Sequence, residues 1–351
     1  MPHFGKLRRA GAALLEEGVL GGPFSRLIGG AWARRSAVLS RTLDIPAGIT
    51  SVGVGGSTLG GSYRTPMAIT LARRLAASGA RAQHVGPRVG FVSHGYGSKL
   101  RVARAVRADD QAEEVSDEAL LAARLLGPQV LVTVGPTRQS AIDCAVQAGA
   151  RALVFDGLLQ SRPQRLTFSV LALDAEEPWG SGQVPPLGDL RAEPSALIAH
   201  ADAVVMVAHE GVRAAQTVAC AHRAVLRITG ARNLTSGERK PVSWFADARV
   251  GLSTAIGRPD RVRRALAAHG VEPDMIVASA DHAPPSFPLA PVDAWLVTEK
   301  CATWLDGQGR SHLAGQAGAP NRVFVLETEL TAPSLGAFAE AAVLDRTLTA
   351  P

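Results

Sequence analysis

Cysteine is scarce. The 351-residue chain has three, Cys144, Cys220 and Cys301, which are isolated and odd in number. That excludes a disulfide framework and a cysteine zinc site, and it points to a reducing compartment. Lysine is scarcer for a basic protein: it occurs only at Lys6, Lys99, Lys240 and Lys300, so the net charge of +6 is carried almost wholly by arginine. Arginine and alanine bias accounts for that charge as well as an anionic partner such as a membrane surface or a phosphate does. Aromatic residues make up 5% of the chain and do not interleave the scattered arginines, which argues against nucleic-acid binding. No run of ~18 apolar residues is present, so no transmembrane helix is expected. No apolar segment ends in a small-residue cleavage site, so no secretory signal is expected either. What is abundant is ordinary globular composition, 46% hydrophobic and 19% charged, over a length that favours two domains.

Residues from about 5 to 42 read as amphipathic helix, with Leu14, Leu15, Val19, Leu20, Phe24, Leu27, Ile28 and Trp32 opposite Arg8, Arg9, Arg26, Arg34, Arg35 and Arg41. Such a segment packs on its own domain or lies in a membrane interface. Beyond it, short β-branched runs alternate with helical spacing. Strands are predicted near 49–54, 90–93, 129–134, 152–155, 168–173 and 203–207, and helices near 65–77, 117–126 and 140–148. This alternation predicts a parallel sheet covered by helices. A stretch from about 227 to 247, mixed in Gly, Asn, Ser, Lys and Pro, reads as an interdomain linker. Strands near 249–253, 275–278, 295–297 and 323–326, with a helix near 259–268, make up a second unit. The expected organisation is therefore an N-terminal helical segment (1–45), a nucleotide-binding-type α/β domain (46–226), the linker (227–247) and a smaller α/β domain (248–351).

One segment carries the clearest chemistry. Between a strand and a helix the chain reads Gly53-Val54-Gly55-Gly56-Ser57-Thr58-Leu59-Gly60-Gly61-Ser62-Tyr63-Arg64-Thr65-Pro66. A glycine-rich turn there lets backbone N–H groups face a phosphate, and the helix dipole adds to the attraction. A dinucleotide fingerprint and a nucleophile elbow both fail on spacing. A standard phosphate loop ends in Gly-Lys-Ser/Thr, and here that place holds Tyr63-Arg64-Thr65.

Thr58 to Pro66 resembles the T-V-G-G-T-G-K-T-P loop of the lipid A 4′-kinase (tetraacyldisaccharide 4′-kinase) family. Further blocks follow in the family's order: Val92-Ser93-His94-Gly95-Tyr96-Gly97-Ser98-Lys99, Ser116-Asp117-Glu118-Ala119-Leu120-Leu121, Phe155-Asp156-Gly157-Leu158-Leu159-Gln160, Pro186-Leu187-Gly188-Asp189-Leu190-Arg191, Ala201-Asp202-Ala203-Val204, Ala255-Ile256-Gly257-Arg258-Pro259, Asp281-His282 and Thr298-Glu299-Lys300. Each block is weakly specific; their shared order over about residues 20–330 is not.

The resemblance implies a P-loop NTPase-like sheet with a smaller C-terminal α/β domain. It implies an enzyme that moves the ATP γ-phosphate onto the 4′-hydroxyl of a tetraacylated glucosamine disaccharide, at the cytoplasmic face of the bacterial inner membrane, which the N-terminal helices would touch. ATP and Mg²⁺ are the implied cofactors. Carried over position by position, Thr58, Leu59, Gly60, Gly61, Ser62, Tyr63, Arg64 and Thr65 would surround the nucleotide, Thr65 and Asp156 would hold the metal, and His282, Asp156 and Arg64 would do the chemistry. Several positions depart from the family. Arg64 stands for the loop lysine, Tyr63 for a glycine, Phe155 for the first of two aspartates, and Thr137 for the aspartate expected to pair with the histidine. Arginine is not a point donor, a tyrosine resists positive φ, and a hydroxyl is a poor substitute for a carboxylate base. These changes leave a second expectation open, a catalytically impaired relative that binds a glycolipid or a protein.

Overall fold

The computed structural model describes residues 40–81, 88–212, 214, 218–219, 221–305 and 322–335. The amphipathic segment expected at the N-terminus lies almost wholly outside the described residues.

One sheet of 13 strands runs through both halves of the protein. Its N-terminal half contains β2 (Thr50–Gly56), β3 (Arg88–Val92), β5 (Val130–Val134), β6 (Ala150–Asp156), β8 (Phe168–Asp174), β9 (Ala203–His209) and β10 (His222–Asn233), in the spatial order β5-β3-β6-β2-β8-β9-β10 and all parallel. The short β4 (Arg104–Ala105) closes the far edge antiparallel to β5. A parallel sheet is covered on both faces, so its strands read as continuous apolar runs. β8 shows it: all seven of its residues are buried.

Helices cover this half of the sheet on both faces. α1 (Arg64–Arg81) follows β2 directly, with Pro66 near its start, where a missing N–H does no harm, and buries Met67, Ala68, Leu71 and Ala72. A short helix, α2 (Ala112–Val115), precedes α3 (Asp117–Leu126). The α3 start is fixed by the Ser116 hydroxyl, which accepts from the Ala119 N–H, with Asp117 and Glu118 in its first turn. α4 (Arg138–Gln147) begins in a capping box between Thr137 and Ser140. α1 and α3 share one core face with Val52, Val54, Val132 and Val154, and α4 shares the other with Leu153, Phe155 and Leu158. A second, two-stranded sheet pairs β1 (Ser40–Thr42) with β7 (Gln160–Arg162).

The C-terminal half adds β12 (Val250–Thr254), β13 (Met275–Ala278), β14 (Ala294–Thr298) and β15 (Val323–Thr331), parallel to one another in the order β13-β12-β14-β15. α5 (Pro194–Ala199) belongs to the first half; α6 (Pro259–Ala267) and α7 (Glu299–Ala302) belong to the second.

The segment read from sequence as a linker is largely structured. β10 extends from residue 222 to 233, pairs in parallel with β9 over 222–226 and antiparallel with β15 over 225–233, and so joins the two halves inside one hydrogen-bonded sheet. The remainder of the expected linker forms β11 (Arg239–Lys240), hairpinned onto β10, and a 3₁₀ turn over Val242–Phe245. Ala224, Leu226 and Ile228 are buried while Arg223, Arg227 and Thr229 are exposed, an alternation that the flanking Gly230, Asn233 and Gly237 obscure.

Candidate functional site

The carboxyl ends of β2, β6, β8 and β9 carry Gly56, Asp156, Asp174 and His209, and the glycine loop crosses above them into α1. The outer end of an open α/β sheet is where such folds bind ligands. The loop is held from outside. Leu59 N–H donates to the Asp189 carbonyl at 2.9 Å and Arg191 N–H to the Ser57 carbonyl at 2.7 Å. The Arg191 guanidinium donates to the carbonyls of Thr58 at 2.8 Å and Leu59 at 3.3 Å. Burial, with Arg64 adding to it, lowers Arg191 to about 9. The Gly61 carbonyl accepts from Arg261 of α6. Gly56 has no room for a side chain, because a Cβ there would meet the Ser62 hydroxyl.

Gly61 and Tyr63 both adopt positive φ, +69° and +55°. Tyrosine thus takes up the left-handed conformation that the sequence argues against, at an expected strain of ~1–3 kcal/mol. Its surroundings offset that strain. The Arg261 guanidinium lies over the ring, 5.1 Å from its centre, and the His209 ring meets it edge-on at 5.8 Å. Arg261 also pairs with the buried Asp174, and Arg258 beside it pairs with Asp174, Glu177 and the buried Asp189. A cavity of about 660 Å³ opens beside these arginines, lined also by Glu176, Gly180 and Gln183.

Under the loop, the Thr65 hydroxyl donates to Asp156 Oδ2 at 2.7 Å. Asp156 Oδ1 is buried without a hydrogen-bond partner. Burial pushes this carboxyl up to about 6, Glu118 adds to the rise, and Arg64, the Thr65 bond and Arg138 oppose it. Arg138 donates to the carbonyls of Asp156 at 2.9 Å and Gly157 at 3.4 Å, and the Arg64 guanidinium lies against Gly157. Phe155 packs with Leu153 and Ile142 on the opposite face of β6, whereas Val154 and the loop share the near face. Strand alternation therefore turns position 155 away from Thr65, and the carboxylate that faces the loop is the one retained.

His282 lies in the loop after β13 at φ +59°. Its Nδ1 is 2.9 and 3.1 Å from the two oxygens of Asp117, at the start of α3, so the pair is made between the two halves of the protein. This corrects the expectation from Thr137. That residue caps α4, and the carboxylate that meets the histidine is Asp117, which is present. Asp117 is 2% exposed, and the Tyr96 ring lies 5.1 Å from the imidazole. Burial disfavours the charged form of His282, but the Asp117 bond outweighs it and raises its pKa. Asp117 is held below the usual carboxylate range: burial opposes this, and Lys300 and His282 prevail.

Residues 19–300 match the family model described as tetraacyldisaccharide-1-P 4′-kinase. A tetraacyldisaccharide 4′-kinase of Anaeromyxobacter dehalogenans (strain 2CP-C) is 34% identical over 329 residues, covering 85% of this chain and 83% of the relative. One from Methylobacterium nodulans is 34% identical over 261 residues, 74% of this chain and 72% of the relative. The chain belongs to this family. It is accordingly a kinase that phosphorylates a hydroxyl group. The fold agrees: LpxK of Aquifex aeolicus, solved in complex with ATP, superposes with a TM-score of 0.66 at 20% identity, over 93% of this chain and 97% of that one.

The structure gathers the sequence-derived residues into two places. Thr58 to Thr65 and Asp156 form one, and His282 forms the other. Glu118 connects them electrostatically, since it acts on both Asp156 and Lys300. Asp117 was within reach of sequence reasoning: it stands in the family-like Ser-Asp-Glu block, immediately after a helix-capping serine. The bracing contacts of Arg191, Arg261 and Arg138 were not, because they run to backbone carbonyls and, for Arg261, also to the buried Asp174, and a motif names no such partner.

Proposed function

We propose that this family member transfers the γ-phosphate of ATP to the 4′-hydroxyl of a tetraacylated glucosamine disaccharide 1-phosphate at the cytoplasmic face of the inner membrane. The observation that carries the reading is the Asp117–His282 pair, an oriented base on the same side of the fold as the loop–Asp156 pair. Phosphoryl transfer asks a protein for positioning and charge neutralisation rather than covalent chemistry.

The loop N–H groups and the start of α1 would receive the phosphates, with Arg64 supplying the cation in place of lysine. Thr65 and Asp156 fit Mg²⁺: they offer hard oxygen ligands, and the unpartnered Asp156 Oδ1 is an open valence in a buried place. Among the described residues no cluster of three His, Cys, Asp or Glu residues forms a metal cage. That suits an ion that keeps water and phosphate oxygens as its other ligands. Bound there, the ion would neutralise charge on the phosphates. An ionised Asp117 accepts the Nδ1–H of His282, which leaves Nε2 free to take the proton of the attacking hydroxyl. Tyr96, 51% exposed beside the imidazole, offers the acceptor sugar a ring to lie against.

The test is phosphate transfer from labelled ATP to tetraacyldisaccharide 1-phosphate by full-length protein. Product is expected from the wild type, and Asp156→Asn should yield at least ~100-fold less. Folded wild-type protein that moves no phosphate onto this lipid would sink the reading.

A further inference from the structure

We propose that Lys300 is a positioning residue for the His282 base: its ammonium, anchored on Asp281, bears on the Asp117 carboxylate and so sets how readily the imidazole takes a proton. The inference rests on the reading of His282 as the base.

Lys300 sits in α7, whose start is fixed by the Thr298 hydroxyl accepting from the Cys301 N–H. Its Nζ lies 2.7 Å from Asp281 Oδ1 and 3.5 Å from Asp117 Oδ2. Asp281 Oδ1 also accepts the backbone N–H of His282 at 3.0 Å, and Asp281 Oδ2 is 3.6 Å from His282 Nε2. One lysine therefore touches both carboxylates that flank the imidazole, and one of those carboxylates holds the histidine in its left-handed backbone conformation. The side chain is 20% exposed and Asp117 2%, so solvent screens the charges poorly.

Three charged groups among the described residues face the histidine. Asp117 comes from α3, Asp281 from the histidine's own loop and Lys300 from α7, while Tyr96, from the loop after β3, contributes a ring contact. Asp117 raises the imidazole pKa through its hydrogen bond and its charge, Asp281 raises it further, and Lys300 lowers it. Without Lys300, the two carboxylates would raise the imidazole pKa with no cation to oppose them, and a protonated imidazole is no base. With it, the Asp117 carboxylate stays ionised and the histidine returns toward its ordinary range.

The experiment is an NMR titration of the His282 ring in full-length protein with ¹³C-labelled histidine, assigned with His282→Gln. Lys300→Met is expected to raise the His282 midpoint by about one pH unit. Lys300→Arg is expected to stay within ~0.3 unit of wild type, because it restores the charge. In the transfer assay, the acid limb of the kcat profile should move up with the midpoint, while KM for ATP changes less than twofold. Should Lys300→Met not fold, Lys300→Gln removes the charge and keeps a donor to Asp281, and it carries the same readout. An unmoved midpoint in a folded variant overturns the proposal, as does a change confined to melting temperature or to KM for ATP. The titration needs no substrate. A wild-type protein without transferase activity would therefore refute the proposed reaction while still deciding the part played by Lys300.

Discussion

Around the glycine loop, charged side chains brace backbone as well as pairing with one another: Arg191 acts on the carbonyls of Thr58 and Leu59, Arg261 on that of Gly61 and on Asp174, Arg138 on those of Asp156 and Gly157. Around His282 they act on one another, through Asp117, Asp281 and Lys300. A loop that works through N–H groups and is braced from outside tolerates Tyr63 and Arg64 where the family pattern has glycine and lysine. In the cluster around His282 each charge answers another, so a change to one member is felt by the rest.

The contrast implies effects of unequal size. The largest should come from the cluster: His282→Ala or Asp117→Asn is expected to lower kcat by ~10²–10⁴-fold with little change in KM for ATP, measured by initial rates. Loss in KM alone would place the pair outside the chemistry and break the contrast. Next is the loop's external brace. Arg261→Met leaves the buried Asp174 with Arg258 as its remaining cation, and a severed buried pair costs about 3–5 kcal/mol, an upper bound here because Arg258 stays at 3.5 Å. Chemical denaturation reads that loss directly, and a change under ~1 kcal/mol would mean the brace is dispensable.

A smaller effect should follow pH. Burial places Asp156 at about 6, and a metal ligand must be ionised, so Mg²⁺–nucleotide affinity is expected to fall about tenfold per unit below pH 6. The sign reverses for the metal-free protein. The folded pKa lies above the ordinary value, so this group's contribution to stability grows as pH falls through 6 toward 4. Calorimetry in buffers of different ionisation enthalpy should show proton release on binding near pH 6; none would remove Asp156 from the metal site. The smallest effect concerns Tyr63. Alanine keeps the left-handed strain and loses both ring contacts, whereas glycine loses the contacts and the strain together. Tyr63→Gly should therefore be about 1 kcal/mol more stable than Tyr63→Ala, and equal stabilities would mean that the φ of +55° is unstrained.

Much of the fold was legible in the sequence. The strand expected near 49–54, the helices near 65–77 and 117–126 and the strand near 275–278 follow from apolar runs and periodicity, and the structure has them at 50–56, 64–81, 117–126 and 275–278. The parallel sheet followed from their alternation. β10 was hidden because its alternation runs into glycine and asparagine, so composition overrode period. Within the site, Thr65 and Asp156 could be paired from motif order alone. Asp117 could not be matched to His282, since 165 residues separate them and only the folded chain brings the two halves together. Phe155 looked like a lost ligand for a related reason: a one-dimensional motif does not say which face of the strand a residue takes.

β10 also limits how the protein can be cut. A fragment beginning near residue 247 would strip β15 of its antiparallel neighbour β10, and one ending near 227 would keep only the first residues of β10 on β9, with their outer edge bare. Each would present a row of unpaired N–H and C=O groups beside apolar side chains, the geometry that recruits other chains into aggregates. The halves should accordingly be recoverable by co-expression or limited proteolysis of the intact fold, and insoluble when made separately.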